Sequence, residues 1–232
     1  TRSPRSTAIG GRYLRVPRPA QHDDRYRAAM SDQILEVDLL RFEGGDGAAR
    51  AAVVDGLMRS LTTGFAYITH DLSADLIDTA YGMLETFFSL PADEKARFVA
   101  PGTHGQTGYT GLLVETAATA EVADWKEMLN WATDVAPGHP LRSRFPHRYH
   151  PQVLPDAAVP GIAEVLNRFH VALADLQRRI LRIIATGIGC HPDYFERMLI
   201  EGSTLSRAIH YPPMASAPDA PHVWAGEHAD IN

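Results

Sequence analysis

The residues best equipped for chemistry are His228 and Asp230, two positions apart in the stretch Glu227-His228-Ala229-Asp230-Ile231-Asn232. In a strand, residues i and i+2 share a face. An imidazole nitrogen and a carboxylate oxygen at that spacing can hold one metal ion. With a second histidine they make the facial triad of non-haem Fe(II) chemistry, which leaves the remaining positions open. A third ligand is not in view. The spacing alone is weak, because the chain holds two other His-x-Asp pairs, His22/Asp24 and His191/Asp193. The first lies in an Arg-rich, aperiodic segment. The second has Pro192 in its middle and reads as a loop opening a short helix. Only the third sits in a plausible strand. Leu205-Ser206-Arg207-Ala208-Ile209-His210-Tyr211-Pro212-Pro213 reads as the strand and Pro-rich loop that precede it.

The elements that must position these residues follow from the apolar pattern. A strand is expected over 34–40 and a turn over 43–46. A helix over 48–62 carries Val53, Val54, Leu57 and Leu61 on one face, and Gly64 ends it. Residues 65–70 read as a second strand. Ser73 N-caps a helix whose apolar face holds Leu76, Ile77, Ala80, Leu84, Phe87 and Phe88. Pro91 opens a short helix. Gly102, Gly105, Gly108 and Gly111 mark a flexible loop around Tyr109, and 129–160 reads as irregular, rich in Pro and His. The longest helix, over 161–186, shows apolar residues from Ile162 to Ile184 at three- and four-residue spacing, with Gly187 and Gly189 at its end.

Composition narrows the classes. With 45% hydrophobic and 22% charged residues the chain is that of a globular protein. No apolar run approaches the ~20 residues of a membrane span, so no membrane partner is expected. The net charge of −6 argues against nucleic acid as a main partner. Cys190 is the single cysteine, which excludes an internal disulfide and fits a cytoplasmic location. Residues 1–29 carry seven arginines against Asp23 and Asp24, a formal +5 that leaves −11 on the remainder. This segment is read as a disordered or non-native tail ahead of Met30.

In order along the chain, the motifs resemble the isopenicillin N synthase-like family of Fe(II) oxygenases, most of which use 2-oxoglutarate. Gly64-Phe65 followed by His70-Asp71-Leu72 is similar to its Gly-Phe…His-Gly turn, with Asp71 where Gly is usual. Phe87-Phe88-Ser89-Leu90-Pro91-Ala92-Asp93-Glu94-Lys95 resembles its Phe-Phe-x-Leu-Pro-x-Glu-x-Lys signature. Gly108-Tyr109, Asp124-Trp125-Lys126-Glu127, Arg207-x-x-x-Tyr211-Pro212-Pro213 and His228-x-Asp230 complete the succession.

The resemblance implies an α+β fold in which N-terminal helices wrap a double-stranded β-helix, or jelly roll, incomplete in this chain. It divides the chain into the tail (1–29), the non-haem dioxygenase N-terminal region (30–150), and helical support with the first barrel strands (151–232). It implies His228 and Asp230 as iron ligands, Tyr211 as a hydroxyl for the co-substrate carboxylate, and Tyr109 as a substrate contact. No catalytic residue is expected beyond the metal ligands. Arg207 is expected to pair with a carboxylate, and Trp125, Phe87 and Phe88 to be core. Ile209 stands where plant members often carry Asn, so one polar contact to the organic acid is missing. The implied cofactors are Fe(II), 2-oxoglutarate and O₂, and the implied partner is a small organic molecule met by a monomer, with hydroxylation the expected outcome.

In the family, the second His ligand and an Arg-x-Ser anchor lie further along than Asn232, so the fragment is expected to be inactive alone. His210 faces away from Tyr211 and His222 lies in a Pro-rich loop, so neither is read as the third ligand. Two alternatives stand: an oxidase of the isopenicillin N synthase type that dispenses with 2-oxoglutarate, and a degenerate, non-enzymatic member.

Overall fold

The computed structural model describes residues 34–116, 122–214 and 223–225. His228, Asp230, His222 and the 1–29 segment lie outside the described residues. The first unit is a strand–helix–strand crossover. Strand β1 (Glu36–Asp38) passes into helix α1 (Leu39–Gly44), then α2 (Gly47–Ser60) and a single 3₁₀ turn. Gly64, at φ +83°, supplies the left-handed turn that returns the chain to β2 (Tyr67–Thr69), which pairs parallel with β1. The expected strand over 34–40 therefore ends early. Asp38 accepts from the Arg41 N–H at 2.9 Å and caps α1, so Leu39 and Leu40 are helical.

Helix α3 (Ala74–Phe88) begins at Ser73, whose hydroxyl accepts from the Leu76 N–H, and short α4 (Ala92–Ala96) follows Pro91. Two strands were not expected. Strand β3 (Gly108–Thr110) emerges from the Gly-rich loop. Strand β4 (Glu127–Ala132) is buried along its whole length. After short α5 (Pro140–Arg144) come the 26-residue α6 (Ile162–Gly187), α7 (Glu196–Leu199) and β5 (Leu205–His210). Strands β3, β4 and β5 form an antiparallel sheet in that order.

Helix α6 holds the two cores. Its first half (Ile162, Leu166, Phe169) packs with Ala80, Leu84 and Phe87 of α3 against Tyr109, Leu129 and Trp131 of the sheet. Its second half (Ile180, Ile183, Ile184) joins Val37, Leu39, Val53 and Leu57 around the β1–β2 pair. Trp131 also donates its indole N–H to the Leu166 carbonyl at 3.0 Å, tying sheet to helix. Asp71, in the usual glycine position, has a partner that accounts for it: with Glu43 it flanks Arg179 of α6, at 2.6 Å. Arg179 holds the Asp71 carboxyl below the usual carboxylate range. Among the described residues no helix is long and apolar enough to cross a membrane.

Candidate functional site

Pairing fixes which side chains share a face. In the β4–β5 register Glu127 lies opposite His210, Leu129 opposite Ala208 and Trp131 opposite Ser206, and these six turn toward the helices. Met128 opposes Ile209, and Asn130 opposes Arg207, on the other face. Tyr211 continues that second face by alternation and is 43% exposed.

Glu127 is the hub of the inner face. The residue is only 4% exposed, and a buried carboxylate is costly unless paired and hydrogen-bonded. Lys95 reaches across from α4 and donates to both carboxylate oxygens, at 2.8 and 2.7 Å, and to the Phe88 carbonyl at 3.0 Å. Tyr109 donates its hydroxyl to Oε2, and His210 Nδ1 lies 2.8 Å from Oε1. That geometry requires the proton on Nδ1 of His210. Its ring also lies on Phe88, with centroids 5.1 Å apart. Burial pushes the Glu127 carboxyl up, but Lys95, Tyr109 and His210 together hold it below the usual carboxylate range. Burial and the same carboxylate push the Tyr109 phenol well up. Phe88 and Lys95 of one motif, Tyr109 of a second and Glu127 of a third thus meet in one cluster.

The outer face carries a second polar row. Arg207 donates from Nε to Asn130 Oδ1 at 2.9 Å and pairs with Glu115 at 3.2 Å, the carboxylate partner expected for it. Lys126 bridges Glu115 and Asp124, each at 2.8 Å. A cavity of about 340 Å³ opens here between Thr103, Val114, Glu115, Met128 and Arg207.

Of the residues singled out in the sequence, Phe87 and Phe88 are core. Tyr109 is 7% exposed and lines the outer cavity with its hydroxyl committed to Glu127. Trp125 is a half-buried clamp rather than core: its indole N–H donates to the Pro212 carbonyl at 3.0 Å, and its backbone N–H to Val223 O at 2.8 Å. His191 and Asp193 form a local turn, with Asp193 paired to Arg182. Among the described residues no group of three or more His, Cys, Asp or Glu is arranged to hold a metal. The Glu127 cluster was not foreseen as a unit. Its signal was present, since a Lys and a Glu that end two motifs invite pairing.

A family model described as "non-haem dioxygenase in morphine synthesis N-terminal" matches residues 36–157, more than half of the chain. The chain belongs to this family and, with it, to the isopenicillin N synthase-like Fe(II)/2-oxoglutarate-dependent oxygenases. Kihadalactone A synthase of Citrus sinensis is 28% identical over 72% of this chain and 51% of its own length. The 2-oxoglutarate-dependent dioxygenase tropC of Talaromyces stipitatus is 26% identical over 72% of this chain and 53% of its own. Among solved structures, a 2OG-Fe(II) oxygenase family protein from Caulobacter crescentus superposes with a TM-score of 0.66 at 28% identity, covering 87% of this chain and 62% of that one. The chain spans about half the length of the curated relatives it matches.

Proposed function

We propose that this chain is the N-terminal region and first barrel strands of a mononuclear Fe(II), 2-oxoglutarate-dependent oxygenase that hydroxylates a small organic molecule. The observation that carries this reading is the convergence of the family's signatures: 87–95, 108–109, 124–127 and 207–213 meet around Glu127 and the end of β5. They build the support from which Tyr211 faces the outer side of the sheet.

His228 and Asp230 supply an imidazole and a carboxylate, the donor set of a 2-His-1-carboxylate iron site, and a histidine beyond Asn232 supplies the third ligand. Held by these residues, Fe(II) would supply the oxidative chemistry that couples 2-oxoglutarate decarboxylation to oxidation of a substrate C–H bond. The chain's own part is positional. Tyr211 donates its hydroxyl to a carboxylate of the co-substrate. Asn130, Glu115 and Arg207 hold the outer face polar and fixed beside the cavity. No charged residue stands opposite Ile209, so this position contributes shape and not a hydrogen bond.

The test is anaerobic titration of the full-length protein with Fe(II) and 2-oxoglutarate, followed by succinate release on admitting O₂. Asp230→Ala and His228→Ala should each abolish stoichiometric iron binding, and the 1–232 fragment should bind iron weakly and turn nothing over. Succinate release unchanged in Asp230→Ala, or tight iron binding by the fragment, would sink the proposal.

A further inference from the structure

We infer that Trp125 and Glu127 are positioning residues for Tyr211, acting as two clamps on the residues that flank it. This rests on the oxygenase reading for what Tyr211 does, though not for how it is held. Strand β5 ends at His210, and Pro212 and Pro213 have no N–H to extend the ladder. The backbone therefore loses its regular hydrogen bonding just where Tyr211 must be aimed. Side chains replace it. Extending the β4–β5 register by two residues sets Trp125 opposite Pro212, as Glu127 is opposite His210. Both pairs are joined: Glu127 to the His210 ring at 2.8 Å, and the Trp125 indole to the Pro212 carbonyl at 3.0 Å.

The Glu127 clamp is rigid because Lys95 and Tyr109 hold its carboxylate from two further elements, and Phe88 backs the His210 ring. The Trp125 clamp is also tied back, through its backbone N–H to Val223. With positions 210 and 212 fixed on one side, alternation leaves Tyr211 pointing to the other, with no freedom to rotate about the strand axis. The Trp-x-Glu spacing of the signature is then explained. It matches the His-x-Pro spacing across the strand pair, each two residues apart.

The test uses the full-length protein loaded with Fe(II), with 3-fluorotyrosine incorporated and the ¹⁹F line of Tyr211 assigned by its loss in Tyr211→Phe. Trp125→Phe keeps an aromatic ring and removes the nearer of two indole donors to the Pro212 carbonyl, Trp224 lying at the longer 3.4 Å. It should raise KM for 2-oxoglutarate about tenfold, the scale of a hydrogen bond to a charged group, with kcat changed by less than about twofold. Tyr211→Phe should do the same. The double variant should be no worse than either single variant, because both act through one hydroxyl. The Tyr211 line should shift or broaden in Trp125→Phe and in Glu127→Gln. Multiplying effects in the double variant, or a Tyr211 line unmoved by Trp125→Phe, would overturn the inference. Where Glu127→Gln does not fold, Trp125→Phe carries the test. If the wild-type protein consumes no 2-oxoglutarate, the oxygenase reading fails, and the ¹⁹F line alone decides whether the clamps hold Tyr211.

Discussion

Lys95→Met is the sharpest perturbation of this fold. The ammonium spends its three N–H donors on the Phe88 carbonyl and the two oxygens of Glu127, all within 3.0 Å. The substitution keeps an unbranched side chain, one atom shorter, and removes the charge, leaving a carboxylate that is 4% exposed with Tyr109 and His210 as its remaining partners among the described residues. Breaking a buried pair from one side costs about 3–5 kcal/mol. For a domain of this size that is a fall of about 10 °C in melting midpoint at neutral pH.

The pH dependence identifies the cause. In the wild type the folded-state value lies below the ordinary 4.5, so the stability Glu127 contributes is present above 4.5 and is lost as pH falls through the folded value. In the variant burial prevails and the folded-state value rises above 4.5. Its stability then falls as pH rises from there, so the gap between the two proteins is widest near pH 7 and narrows toward pH 4.5. Lys95→Met/Glu127→Met should lose this pH dependence while remaining below the wild type, because the Tyr109 hydroxyl and His210 N–H lose their acceptor at about 1–3 kcal/mol each. Urea denaturation from pH 4.5 to 7.5 measures all three. A deficit below about 1 kcal/mol, or one of equal size at both ends, would refute the assignment of Glu127 as a charge held by Lys95.

Three further outcomes are expected. Gly108→Ala should cost about 2 kcal/mol or more by denaturant titration, since φ is +82° and the new methyl would lie 2.6 Å from the Phe98 carbonyl oxygen. Burial holds the His170 imidazole below its ordinary 6.5, so the wild type should lose stability as pH falls below 6.5, and His170→Asn should flatten that limb of the melting-temperature profile. Asp71→Gly should lower the midpoint slightly in low salt and leave it unchanged in about 1 M NaCl, because the ion pair with Arg179 is exposed on the carboxylate side. A salt-independent loss there would point to backbone effects of the glycine instead.

What was legible in the sequence was what depends on a single segment. The three- and four-residue apolar repeat that defines α6, the Ser73 cap and the Gly64 turn are local, and each stands where it was expected, within a residue or two. Strand β4 was not legible. Glu-Met-Leu-Asn-Trp-Ala has no β-branched residue, and all six residues are buried, so the polar–apolar alternation that marks a half-exposed strand is absent. It is a strand because β3 and β5 flank it, and neither lies near it in sequence. The site divides the same way. Glu127 and Lys95 were visible as members of motifs, but their contact spans 32 residues and follows only from how α4 packs against the sheet. Trp125, expected in the core, instead serves the loop after β5, which a hydrophobicity pattern does not distinguish.

Helix α6 supplies side chains to both cores from one continuous rod, roughly 39 Å long at 1.5 Å per residue. Its tolerance to length change is therefore unlike that of any loop in the chain. One residue inserted near Ala174 would turn the second half by about 100° relative to the first. Ile180, Ile183 and Ile184 would swing out of their core while Ile162, Leu166 and Phe169 stayed in theirs. A length change in the 133–160 connection alters no rotational phase, but it is free only between the pinned points at Tyr149, Gln152 and Val153, which bond Glu201, Ala132 and Thr107. The middle of the rod thus tolerates substitution but not a change in length.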